Sequence, residues 1–146
     1  KMYEQGLQVQ KMAAAIYGKD SIIIYGKSLG TGIAAYVASE SNNRRLILET
    51  PYYSIPSLFS CYAPIYPTGK MSIYKIPVNE YLQDVNYPVS IFHGTEDALI
   101  PYHNAARLKK VIKATDEFIT IEKGKHNNLA DFELYKHKLD SLLKLQ

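Results

Sequence analysis

The sequence has no tryptophan and a single cysteine, Cys61. One thiol forms no internal disulfide and has no partner at zinc-ligand spacing, so neither a disulfide-stapled scaffold nor a cysteine-built metal site is supported. This usage favours a reducing compartment, and a cytoplasmic location is the expectation. No H-E-x-x-H or closely spaced His/Asp cluster occurs, so no metal is expected. No stretch approaches the roughly 18 apolar residues of a membrane-spanning helix. The opening "KMYEQGLQVQKMAAAIYG" lacks the apolar core and small-residue cleavage site of a signal peptide. A start at Lys1 inside a helical pattern reads as clipped, so a targeting sequence could have preceded it. Charge of one sign is scarce too: 17 basic against 14 acidic residues leave a net +3, too weak a bias to announce a nucleic acid. The densest basic cluster, "RLKKVIK" at 107 to 113, reads as the solvated face of a helix. The 13 tyrosines are not interleaved with arginines as a base-stacking platform requires.

What is present is an ordinary globular balance, 47% apolar and 21% charged over 146 residues. That is one domain, burying about two-thirds of the surface its unfolded chain exposes. Val9, Met12, Ala13, Ile16 and Tyr17 define one face of a helix over 4 to 17. Strands are expected at 21 to 25, 45 to 49, 88 to 94 and 117 to 122. Helices are expected at 29 to 39, 54 to 61, 101 to 112 and from Leu129 onward. Six of the seven prolines fall between Thr50 and Pro88, which excludes long regular elements there. Strands separated by helices, with apolar runs such as "IIIY", imply an α/β fold: a parallel sheet with helices on both faces.

The segment "IIIYGKSLGTG" at 22 to 32 carries the chemistry. Its glycines fit neither the P-loop nor the dinucleotide-loop register, but Gly26 to Gly30 reads G-x-S-x-G between a strand and a helix. A serine exposed at the end of a strand needs a sharp, strained turn. Side chains two residues to either side would collide there, and glycine at 26 and 30 removes the collision. Ser28 is then a candidate nucleophile, and the Leu29 amide, at the start of the next helix, a candidate oxyanion donor. Gly32 lets that helix pack closely. A serine hydroxyl needs a base, and His126 in "GKHNN" follows the last strand. His93 reads as a packed or hydrogen-bonded histidine, His103 and His137 as surface residues. Asp97 in "FHGTEDALIPY" is the candidate acid, with Glu96 its alternative. Glu49, ending "RLILE", orients a loop, binds a polar group or caps a helix. The chain order Ser28, Asp97, His126 is nucleophile, acid, base.

With these stations in view the chain resembles the C-terminal half of an α/β-hydrolase, closest to the Bem46-like or serine aminopeptidase-like branch. "IIIYGKSLGTGIA", "LILETPYYSI", "IFHGTEDALIPY" and "GKHNN" carry the likeness. The resemblance implies that residues 1–146 are the C-terminal portion of one hydrolase domain, with about four strands standing for the fifth to eighth of eight. It implies a lid or pocket region at 50 to 88, where Tyr52, Tyr53, Tyr62, Tyr66 and Tyr74 either line an apolar entrance or pack in the core and lid. It further implies a cofactor-free serine hydrolase for a carboxylic ester or thioester, such as an acyl-protein thioesterase or lysophospholipase, acting on a small-molecule or acylated substrate. The alternatives are a serine peptidase or amidase, and a non-catalytic hydrolase-fold binding or regulatory domain. The family's His-Gly loop, which supplies a second oxyanion donor, has no counterpart before Ser28, and loss of such a donor costs on the order of 3 kcal/mol. The first strand would then be an apolar edge, covered by a missing N-terminal half or by a homo-oligomer.

Overall fold

The computed structural model describes residues 1–63, 65 and 75–144. Helix α1 spans Met2–Tyr17, strand β1 Ile23–Lys27, helix α2 Gly30–Ser39 and strand β2 Arg45–Glu49. Helix α3 follows at Ile55–Tyr62 and a short helix α4 at Val78–Tyr81. Strand β3 covers Val89–Gly94, helix α5 Tyr102–Ala106, strand β4 Glu117–Ile121 and helix α6 Glu133–Leu143.

The four strands form one parallel sheet in the order β1-β2-β3-β4. Alternating side chains feed two cores. Leu46 and Leu48 join Ala35, Val78, Ile91 and Leu108 on one face. Ile47 joins Phe92, Ile121, Leu129, Tyr135 and Leu142 on the other. Every residue of β3 is buried, as expected of a strand with helices over both faces. This is the parallel sheet with helices on both faces that the order of elements implies.

Register matters most at one end of the sheet. Lys27 lies opposite Glu49, Glu49 opposite Phe92, and Gly94 opposite Ile121. Because the strands are parallel and aligned, the loops after β1, β2, β3 and β4 all leave from the same edge.

The structure refines the local readings, and the helix expected over 4 to 17 is present as α1. The apolar stripe of α1 does not enter a core: Val9, Met12, Ile16 and Tyr17 are each at least 66% exposed. α1 instead packs on α2 through Tyr3, whose ring lies 4.4 Å from that of Tyr36, and through Gly6, where an added Cβ would meet Val37 and Ile33. The expected helix over 101 to 112 is shorter, α5 passing into a 3-10 turn at Arg107–Lys110. In the basic cluster Lys109 and Lys110 are exposed as expected, whereas Lys113 Nζ donates to Val85 O and Tyr87 O and pairs with Asp116. The first strand starts two residues later than expected and runs to Lys27, carrying it directly into Ser28.

β1 pairs with β2 alone among the described strands, leaving its other edge open. Beside that edge Val9, Ala13, Ile22, Ile24, Ile33 and Val37 help line a broad apolar groove of about 860 Å³.

Candidate active site

Ser28 sits between the end of β1 and the start of α2 with φ of 51°, in the left-handed region that a serine occupies only under constraint. Its N–H donates to Glu49 O at 2.9 Å, and its carbonyl accepts from Thr31 N–H at 3.0 Å and Thr31 Oγ1 at 2.6 Å. The flanking glycines are not equivalent. A Cβ at Gly26 would lie 2.5 Å from Ala34 Cβ and 3.0 Å from the Gly30 carbonyl, so the turn requires glycine there. At Gly30 an added Cβ would meet nothing within 4 Å, contrary to the expected collision. At Gly32 it would strike Tyr52 and Ile76, which is the close packing expected of that position.

Ser28 Oγ lies 2.8 Å from His126 Nε2, although the two residues are 98 positions apart. His126 Nδ1 lies 2.8 Å from Asp97 Oδ2. With the imidazole neutral, Nδ1–H donates to the carboxylate, leaving Nε2 to accept the serine proton. Asp97 is 5% and His126 9% exposed. The other carboxylate oxygen, Asp97 Oδ1, accepts from Leu99 N at 2.9 Å and Ile100 N at 2.8 Å, which fixes its rotamer. Glu96, the alternative acid, is exposed, and its backbone N–H goes to Gly124 O.

Two glycines that the sequence does not single out bring the Asp97 and His126 loops together. A Cβ on Gly94 would lie 2.1 Å from the carbonyl oxygen of Gly124. The loop after β3 thus lies directly on the loop after β4, fastened by Glu96 N to Gly124 O at 2.9 Å and Lys123 N to Thr95 Oγ1 at 2.8 Å. Only the strand register reveals that contact, so the sequence carries no signal for it beyond the glycines themselves.

His93 is fully buried below the acid. Its Nε2 is 2.9 Å from Ile100 O and 3.6 Å from Asp97 Oδ2, so it braces the turn that holds Asp97. Burial pushes its pKa below the usual histidine value, against the pull of the Ile100 carbonyl and Asp97. His103 and His137 are exposed; His103 touches Cys61 at 3.4 Å.

Leu29 stands at the N-terminus of α2, where the first amides have no intrahelical acceptor and the helix dipole is positive. Tyr52, expected on a pocket wall, is instead 1% exposed in the core, its hydroxyl 3.4 Å from Leu29 O below the start of α2. Tyr53 is half-buried under the Arg107 guanidinium, 3.8 Å from its ring centre. Tyr62 is exposed and donates to Ala98 O and Leu99 O in the acid loop. Tyr66 and Tyr74 lie outside the described residues, as do 64 and the rest of 66 to 74 in the expected lid. Among the described residues, no group of three or more His, Cys, Asp or Glu could hold a metal, and no helix is long and apolar enough to cross a membrane.

The parallel sheet, the strained serine turn and the Ser28, His126, Asp97 contacts define the class: this is the core of an α/β-hydrolase fold. No family model matches the chain. A protein of Acanthamoeba polyphaga mimivirus, provisionally assigned as an alpha/beta hydrolase, is 33% identical over 122 residues, covering 79% of this chain and 43% of that protein. Alpha/beta hydrolase domain-containing protein 17B of Homo sapiens is 29% identical over 125 residues, covering 84% of this chain and 40% of that one. The chain therefore spans less than half the length of either relative. Among solved structures, the esterase domain of a Rhodothermus marinus protein superposes with a TM-score of 0.73 at 15% identity, covering 95% of this chain and 66% of that one.

Proposed function

We propose that the protein is a serine hydrolase that cleaves a carboxylic ester or thioester through an acyl-enzyme. The observation that carries this is the hydrogen-bonded line from Ser28 Oγ through His126 to the buried carboxylate of Asp97. In this reading Ser28 Oγ attacks the acyl carbon while His126 Nε2 takes its proton. Asp97 holds the imidazole in the required tautomer and stabilises the imidazolium. The Leu29 N–H donates to the oxyanion, aided by the positive end of α2. His126 then gives its proton to the leaving oxygen or sulfur, next deprotonates a water that attacks the acyl group, and finally returns the proton to Ser28.

A second oxyanion donor is part of the proposal. The open edge of β1 and the apolar groove beside it support completion of the sheet by further strands, from an N-terminal portion of the same protein or from a partner copy. The described residues would then be the C-terminal portion of one hydrolase domain, with 50 to 88 as its lid or pocket. The motif strings favour the Bem46-like branch and an acylated substrate, and the lone cysteine favours action in the cytoplasm. The second reading, a non-catalytic hydrolase-fold domain, draws only on the lack of a His-Gly oxyanion loop before Ser28 in this sequence. Turnover of a short-chain p-nitrophenyl ester by the full-length protein separates them: hydrolysis lost in Ser28→Ala supports the enzyme, and a rate unchanged by that substitution rejects it.

A further inference from the structure

Glu49 is a charged group at the same sheet edge that acyl transfer does not use. Its residue is 3% exposed, and its carboxylate is met by three donors: Lys27 Nζ at 2.7 Å, the Tyr135 hydroxyl at 2.5 Å and the Tyr25 hydroxyl. An ionised carboxylate is retained so far from water only when its oxygens are occupied in this way. Burial alone would raise its pKa. The bonds from Lys27, Tyr135 and Tyr25 outweigh that and hold it below the usual carboxylate value.

The donors are not scattered over the fold. Tyr25 and Lys27 precede Ser28 by three positions and one, and Lys27 lies opposite Glu49 in the β1–β2 register. The main chain of the same residue accepts the Ser28 N–H at 2.9 Å. Residue 49 thus grips the serine turn twice, by its carbonyl at Ser28 and by its carboxylate at Lys27. Tyr135, from α6, fixes the carboxylate to the core beneath β3, its ring 4.9 Å from that of Phe92. A strained backbone such as that of Ser28 persists only where its surroundings over-determine it.

We infer that Glu49 is a positioning residue for Ser28: by clamping Lys27 it keeps the strained turn oriented so that Ser28 Oγ stays on His126 Nε2. The kinetic side of this inference rests on the hydrolase reading; its geometric side does not.

Glu49→Gln and Lys27→Met, made separately and together in the full-length protein, test it through three readouts. These are the rate of Ser28 modification by a fluorophosphonate, kcat and KM on a p-nitrophenyl ester, and the ¹⁵N resonances of the His126 ring. Each single variant should slow modification and lower kcat by about 10- to 100-fold, the loss a small misplacement of a reacting group produces. KM should stay within about twofold, and the double variant should be no slower than the slower single one, because both remove one interaction. The His126 Nε2 resonance should move in both. A merely structural role would lower the thermal midpoint of Glu49→Gln while leaving the modification rate and the His126 resonance of the folded protein unchanged, and that result overturns the inference. If Glu49→Gln does not fold, Lys27→Met decides alone, its side chain being 40% exposed, and a wild-type rate there overturns it. If the wild-type serine resists the probe, the hydrolase reading fails, and the His126 resonance decides whether Glu49 positions the turn: unmoved in Lys27→Met, the inference falls.

Discussion

His126 Nδ1 lies 2.8 Å from Asp97 Oδ2, and the same carboxylate takes two backbone N–H bonds on its other oxygen. The carboxylate is therefore fixed from two sides, and in the proposed mechanism its task is to orient the imidazole. Asp97→Asn keeps the shape but presents either an amide N–H or a weaker acceptor to His126. It should lower kcat by about 10⁴-fold with little change in the thermal midpoint, the loss expected when the wrong tautomer is favoured. Steady-state ester hydrolysis of purified wild type and variant reads this directly, and full activity in the variant would remove Asp97 from the mechanism.

Gly94 should be as sensitive as the acid itself although it touches no substrate. A methyl group there meets the Gly124 carbonyl at 2.1 Å, and neither backbone can yield without separating the Asp97 loop from the His126 loop. Gly94→Ala should destabilise the fold by about 3 kcal/mol, at the upper end of overpacking costs, as measured by urea denaturation. Any folded fraction should also lose turnover.

The two glycines around Ser28 should part company under substitution. Gly26→Ala forces contact with Ala34 Cβ and should cost about 1 to 3 kcal/mol. Gly30→Ala enters open space and should change stability by no more than about 0.5 kcal/mol. Paired denaturation curves would show the difference, and equal losses would contradict the geometry.

Acid stability should fall in two stages. Burial holds the His93 pKa below its ordinary value, so the folded state refuses a proton that the unfolded chain accepts. Its contribution is fully present above the unfolded value of about 6.5 and is lost as pH falls from there through the folded value. Glu49 is likewise lowered; its contribution is present above the unfolded carboxylate value of about 4.3 and is lost as pH falls through the folded one. Thermal midpoints recorded from pH 8 to pH 3 should decline through both ranges. His93→Gln should flatten the upper stage and Glu49→Gln the lower. A wild-type midpoint that holds constant across this span would refute both assignments.

Much of this was legible in the sequence because it depends on local pattern. "RLILE" reads as a strand over the residues that form β2, and the serine motif, the acid loop and "GKHNN" each follow a strand, which in a parallel sheet places them on one edge. What escaped depends on partners far along the chain. The stripe of α1 shows that a face is apolar without saying what covers it, and here Val9 and Tyr17 are exposed in the groove beside the open edge of β1. Tyr52 reads as an entrance residue until its ring is seen beneath Gly32. Gly94 meets Gly124 only because β3 and β4 share their register, and Glu49 finds Tyr135 across 86 residues.

The central claim is that Ser28 is an activated nucleophile, and the site of covalent modification tests it most directly. After incubation of the full-length protein with a fluorophosphonate, peptide mass spectrometry should place one adduct on Ser28, absent in Ser28→Ala and formed much more slowly in His126→Ala. A wild-type serine left unmodified, or an adduct on another residue that persists in Ser28→Ala, would contradict the account.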